Sequence, residues 1–213
     1  WPYKDCILEG GQSREEDKKN EIFFNETLAQ DEITQLLEPK VLTNSKTYDK
    51  KGEKDFDGFK RDNEINKKRG LPENTITDNL IIRGNNLLAL HTLKKEFSGK
   101  VKLIYIDPPY NTGSDSFNYN DSFNESTWLT FMKNRLQVAH KLLNKKGAIY
   151  VHIDHHQLGN LNILLNEVFG KENKVQVISI KTASPAGFKT VNPGPIDVTE
   201  YILFYTKDKS QFP

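Results

Sequence analysis

Cysteine is almost missing: Cys6 stands alone in 213 residues. No internal disulfide can form, and a reducing, cytosolic compartment is expected. Long apolar runs are missing too. Nothing approaches the roughly 20 residues that span a bilayer, and no signal-peptide pattern opens the chain, so a membrane is not an expected partner. A strong charge of one sign is also lacking, since 30 Lys and Arg face 29 Asp and Glu, for a formal net charge of +1. That balance is neutral on nucleic acid, because an acidic back can hide a basic face in the sum. Internal repeats and low-complexity tracts are absent as well.

What is present is uneven. Apolar residues concentrate after residue 79, whereas residues 1–78 are dense in Lys, Glu, Asp and Asn, as in a solvated or partner-dependent segment. Within that first part, residues 12–37 are predicted as helix. Ser13 is the N-cap, Glu15 and Glu16 lie near the positive end of the dipole, and Pro39 is the stop. Residues 43–74 are polar and Lys-rich, broken by Gly52, Gly58, Gly70 and Pro72. The expected organisation is a helical, charged leader over 1–42, a polar linker or surface excursion over 43–78, and an α/β domain over 79–213.

After residue 78 strands and helices alternate. Leu80-Ile81-Ile82-Arg83 reads as a short strand ending at Gly84-Asn85, and residues 86–97 as a helix. Val101–Ile106 reads as a strand covered on both faces. Residues 126–143 form the next predicted helix, with Gly147 just past its end. A strand over 148–153, a helix over 156–169 stopped by Gly170, and strands over 175–180 and 201–205 complete the series. Such alternation predicts an α/β sheet that is mainly parallel.

In an open parallel sheet, ligands gather at the carboxyl ends of the strands, and Asp107-Pro108-Pro109-Tyr110 directly follows one. The two prolines stiffen the turn and offer carbonyls without N–H donors, and Tyr110 presents a flat, amphipathic ring. A carboxylate and a carbonyl can together accept both hydrogens of an exocyclic aromatic amine, localising its nitrogen lone pair for attack on a positioned methyl group. Stacking on an aromatic ring contributes roughly 1–3 kcal/mol per base, toward the few kcal/mol that extruding a base from a duplex costs.

Asp107-Pro108-Pro109-Tyr110-Asn111-Thr112-Gly113 resembles the catalytic motif of the S-adenosylmethionine-dependent amino-methyltransferases. Its Asn-Thr-Gly extension is similar to the modification subunits of type III restriction–modification systems. Leu80-Ile81-Ile82-Arg83-Gly84-Asn85-Asn86-Leu87, the segment from Trp128 to Leu136, the segment from Glu200 to Lys207, and leader stretches at Trp1-Pro2-Tyr3-Lys4-Asp5 and Phe23-Phe24-Asn25-Glu26 resemble the same subunits. The resemblance implies an incomplete Rossmann-like, S-adenosylmethionine-dependent methyltransferase fold, acting on adenine N6 in double-stranded DNA. It also implies a self-associating modification subunit and a partner restriction subunit. In its terms Asp107 and the Pro108 carbonyl accept from the target amine, Pro109 shapes the turn, and Tyr110 stacks on the flipped base. Gly84, Asn85 and Asp107 would meet the cofactor, although the family carries Asp where Asn85 stands. The glycine-rich Phe-x-Gly-x-Gly loop of the family is not found, and the first residue is Trp, so a longer parent domain is expected. Cytosine-N4 methylation is the chemical alternative, and a non-catalytic assembly fragment the alternative from another class. Asp rather than Ser at the head of the motif favours adenine.

Further candidates surround this motif. Asn111, Thr112, Phe117, Tyr119, Lys181 and Lys189 are the expected DNA contacts. Ala186-Gly187-Phe188-Lys189-Thr190 is not a Walker loop, because Phe188 stands where Gly must precede Lys. His152, Asp154, His155 and His156 crowd together, but at a strand exit and helix start such residues cap backbone groups, and no metal is expected. This chemistry requires that the Asp107 side chain not be buried in structural contacts and that Tyr110 not point away from an open cleft.

Overall fold

The computed structural model describes residues 1–9, 22–112, 125–184 and 198–213. In chain order the elements are β1 (Cys6–Glu9), β2 (Ile22–Asn25), α1 (Gln30–Leu37), β3 (Lys46–Asp49), β4 (Gly52–Asp55), α2 (Asn63–Arg69), α3 (Asn86–Phe97), β5 (Val101–Ile106), α4 (Glu125–Leu142), β6 (Leu143–Ile153), α5 (His155–Phe169), β7 (Lys174–Lys181) and β8 (Thr199–Thr206). A short 3-10 turn, Lys171–Asn173, joins α5 to β7. No described helix is long and apolar enough to cross a membrane.

The central sheet has the order β5-β6-β8-β7. The α/β class stands, but the mainly parallel sheet does not: β5 pairs with β6 in parallel, while β6–β8 and β7–β8 are antiparallel. Parallel pairing needs a crossover, which α4 supplies between β5 and β6; β7 and β8 run in opposite senses, so β8 returns antiparallel to both its neighbours. The core lies where α4 and α5 cover this sheet. Trp128, Met132 and Leu136 of α4 meet Ile149, Val151 and Ile153 of β6, Leu161, Leu164 and Leu165 of α5, and Leu203 and Tyr205 of β8, all fully or almost fully buried.

The leader differs from its expected helix. Residues 22–25 are a strand, paired antiparallel with β1 from Cys6↔Asn25 to Glu9↔Ile22, and only Gln30–Leu37 is helical. The expected cap Ser13 lies outside the described residues. The punctuation is Asn25, whose side chain accepts from the Thr27 and Leu28 N–H groups at 3.0 Å and turns the chain before the helix can begin. Nor does the leader stand apart. Leu8 is fully buried in the main core. Asn134 of α4 accepts from the Leu8 N–H at 3.0 Å and donates to the Cys6 carbonyl at 3.1 Å, so a side chain takes the place of a strand neighbour along β1. Lys133 donates to the Lys4 carbonyl, and Thr130 to that of Tyr3.

The segment expected to be a linker contains the β3–β4 hairpin and helix α2, capped by the Asp62 side chain at its start and by left-handed Gly70 at its end. The expected strand over 80–83 does not form: Ile81 is 99% exposed, and these residues pair with no strand among those described. Apolar composition makes a strand only where a partner accepts its ladder. β5 likewise is not covered on both faces, since Leu103 is 59% and Tyr105 55% exposed. Gly147 is not a helix stop but a residue of β6, where an added Cβ would lie 2.9 Å from the Val101 carbonyl and from Leu143. Close approach of β5 and β6 requires glycine there.

Candidate active site

The carboxyl end of β5 delivers Asp107 to the sheet edge with its side chain exposed, while Pro108, Pro109 and Tyr110 are half-buried. Trp128, fully buried near the start of α4, donates its indole N–H to the Pro109 carbonyl at 2.8 Å. That bond fixes the second proline's carbonyl. No described donor reaches the carbonyl of Pro108, which the resemblance implies as an acceptor for the target amine. Asn111 then takes a left-handed conformation, φ 60°, which ends the extended turn.

Tyr110 anchors one side of a polar cluster that sequence reading did not assemble. Its hydroxyl donates to Glu200 Oε2 of β8 at 3.3 Å. Burial, then hydrogen bonding to Asp107 and the charges of Asp107 and Glu200, raise the Tyr110 pKa far above its ordinary value, so the hydroxyl keeps its proton. His152, from the end of β6, brings Nε2 within 2.8 Å of the same Glu200 oxygen. The Nε2 atom makes no hydrogen bond there, so the two groups are in close contact without one. On its other side His152 Nδ1 lies 3.3 Å from the Tyr105 hydroxyl of β5. The Tyr110 and His152 rings are 6.0 Å apart. Strand register explains the meeting: Ile106 aligns with Val151, and His152 with Ile202, so the last residues of β5 and β6 and the first of β8 share one edge.

The signal for His152 and Glu200 was available as polarity. Each interrupts an otherwise apolar strand, Ile149-Tyr150-Val151-His152-Ile153 and Glu200-Tyr201-Ile202-Leu203. From sequence, His152 stands out only as a conceivable metal ligand beside Asp154. The structure instead separates their roles: Asp154 caps α5, accepting from the His156 N–H at 3.0 Å and lying 2.6 Å from the His156 ring nitrogen. Ligand atoms of Asp154, His155 and His156 all lie within 4.8 Å of one another, with both imidazoles exposed.

Gly84 and Asn85 stand at the entrance to α3. Gly84 takes φ 139°, and a Cβ there would meet nothing within 4 Å, so the backbone is open. The Asn85 side-chain oxygen caps α3, accepting from the Leu87 N–H at 3.0 Å. Neither residue bonds to the Asp107 cluster among the described residues. The entrance is held from behind by Arg135, which donates to Asn86 Oδ1 at 2.6 Å and to the Phe131 carbonyl at 2.9 Å, and lies over the Phe131 ring. Burial pushes its guanidinium pKa down to about 9. Lys181 is exposed at the end of β7 on the same sheet edge, three strand spacings from β5, or roughly 14 Å. Phe117, Tyr119 and Lys189 lie outside the described residues. A hollow of about 470 Å³ elsewhere, lined in part by Ile7, His91, Asn134 and His140, includes none of the Asp107 cluster.

The chain is 45% identical to the HindVI Mod subunit of Haemophilus influenzae, over 91% of this chain and 25% of that protein. It is 36% identical to the type III restriction-modification enzyme EcoP15I Mod subunit of Escherichia coli, over 65% and 26% respectively, and 39% identical to the type II methyltransferase M.EcaI of Enterobacter cloacae, over 63% and 30%. The chain thus spans about a quarter to a third of the length of these relatives. Among solved structures, the M1.HpyAVI–SAM complex overlaps at 15% identity and a TM-score of 0.42, covering 60% of this chain and 54% of that one. At that score the likeness places no ligand. The family model for DNA methylase matches residues 101–213, more than half of the chain and headed by the strand that delivers Asp107, and the chain belongs to that family.

Proposed function

We propose that this chain is the catalytic-motif part of a type III modification subunit, an S-adenosylmethionine-dependent methyltransferase acting on adenine N6 in double-stranded DNA within a restriction–modification system. The observation that carries the proposal is the pair of acceptors at the end of β5: an exposed Asp107 carboxylate beside a Pro108 carbonyl that no described donor reaches, with the Pro109 carbonyl already held by Trp128. That division leaves two acceptors for the two hydrogens of one amine. Tyr110 stands next to them as a ring on which a base can stack. The relatives named as type III Mod subunits support the same reading, and self-association and a restriction partner belong to it.

The residues that would hold S-adenosylmethionine in this chain are Gly84, Asn85 and Asp107. The open backbone at Gly84 fits an approaching ligand, and because the Asn85 oxygen serves the cap, its amide nitrogen is the group left to meet an adenosine edge. The cofactor supplies an electrophilic methyl group. The chain's own part is to hold the amine by its hydrogens and keep its lone pair directed. Asn111, Thr112, Phe117, Tyr119, Lys181 and Lys189 are proposed DNA contacts, the lysines as phosphate partners.

The test is methyl transfer by the native protein from labelled S-adenosylmethionine to duplex DNA, followed by nucleoside analysis. N6-methyladenine is the expected product, and Asp107→Ala is expected to abolish it while the fold, followed by circular dichroism, is kept. Turnover that survives Asp107→Ala, or a product that is N4-methylcytosine, overturns the assignment.

A further inference from the structure

The Tyr110 hydroxyl sits between two carboxylates. Its hydrogen bond goes to Glu200 Oε2 at 3.3 Å, and Asp107, three residues back at the head of the same turn, is the other carboxylate near enough to act on it. A phenol carries one O–H and can satisfy only one of them at a time. Whichever carboxylate receives that proton is a poorer acceptor for anything else. Donation to Asp107 would weaken the acceptor on which the proposed amine contact depends. Donation to Glu200 leaves Asp107 open. In the structure the Glu200 bond is made, and Glu200 is itself held: His152 Nε2 approaches the same oxygen at 2.8 Å, and Tyr105 meets the opposite nitrogen of that imidazole at 3.3 Å. The imidazole is thus flanked at its two nitrogens by Glu200 and the Tyr105 hydroxyl. Glu200 and His152 come from adjacent strands, β8 and β6, whose register ends together at Ile153↔Tyr201.

We propose that Glu200, steadied by His152, is a positioning residue that draws the Tyr110 hydroxyl away from Asp107 and so keeps the Asp107 carboxylate open to the target amine. Glu200 touches neither amine nor cofactor; it acts through Tyr110. The proposal rests on the methyltransferase reading above.

The experiment compares methyl transfer by the native protein and three variants: Glu200→Ala, Tyr110→Phe and the two combined. Glu200→Ala is expected to lower kcat roughly tenfold to a hundredfold, the worth of one hydrogen bond to a charged group. The KM for DNA should move by less than about threefold, because duplex binding is untouched. Adding Tyr110→Phe removes the competing hydroxyl. The double variant is therefore expected to turn over faster than Glu200→Ala alone, a recovery that a merely structural role for Glu200 would not produce. Losses that simply add, or a loss carried by KM, overturn the proposal. Should Glu200→Ala fail to fold, Glu200→Met, of similar length and without an acceptor, takes its place with the same expected recovery. Asp107→Ala separates the two levels. Unimpaired turnover in that variant defeats the methyltransferase reading itself, whereas Asp107-dependent turnover with additive Glu200 and Tyr110 losses defeats only the role of Glu200.

Discussion

Asn134→Ala tests how the leader is joined to the domain. Asn134 is buried on α4 and serves two main-chain groups of β1, the Leu8 N–H and the Cys6 carbonyl, at 3.0 and 3.1 Å. Both Leu8 and Cys6 are buried, so water does not readily replace the lost side chain. A buried donor or acceptor left unsatisfied costs about 1–3 kcal/mol, and two of them, with some relaxation, about 2–5 kcal/mol. That exceeds the sub-kcal changes usual for surface substitutions. The assay is urea unfolding at neutral pH, followed by far-ultraviolet circular dichroism and by tryptophan fluorescence, which reports the fully buried Trp128. Gln30→Ala is the reference, since its contact with Thr34 is exposed and long, at 3.5 Å, and a change within about 0.5 kcal/mol is expected. If Asn134→Ala costs no more than that reference, β1 is not held by this side chain, and the leader is a separate layer after all.

The remaining predictions concern the site's support and its pH response. Trp128→Phe keeps an aromatic ring in the core but releases the Pro109 carbonyl. The motif should loosen and kcat fall by about tenfold, while the protein stays folded; unchanged single-turnover kinetics would show that the bond does not position the motif. His91 is buried, and burial, then the charges of Lys94 and Lys141, push its pKa from 6.5 down to about 4. Between those values the unfolded chain binds more protons than the folded one, so stability is full above pH 6.5 and is lost as the pH falls toward 4. The loss assigned to His91 is about 1–2 kcal/mol after allowance for solvent screening. His140 shifts in the same direction, through burial and then Lys207 and Lys141. Unfolding midpoints measured from pH 8 to pH 4 should therefore fall less steeply in His91→Gln, and an identical slope would remove His91 from the account.

Local chemistry was enough for much of this protein. Asp-Pro-Pro-Tyr after an apolar strand placed a carboxylate and a rigid turn at a sheet edge, because proline's fixed φ and missing N–H act whatever surrounds them. Helices α3, α4 and α5 were legible from their spacing, and α5 also from Asp154 and Gly170 at its ends. Pairing was not legible. Residues 80–83 have strand composition but no ladder among the described residues, whereas residues 22–25, expected as helix, pair with β1. A strand depends on what lies beside it, and that information is not local. For the same reason the mixed sense of the sheet escaped sequence reading, as did the knitting of the leader to α4 through Asn134 and the meeting of Tyr110, His152 and Glu200 from a turn and two strands. The sequence by itself determined which groups could perform the chemistry; only tertiary structure decided which of them share an edge, because hydrogen bonds and charge contacts act over a few ångströms of space, without regard to distance along the chain.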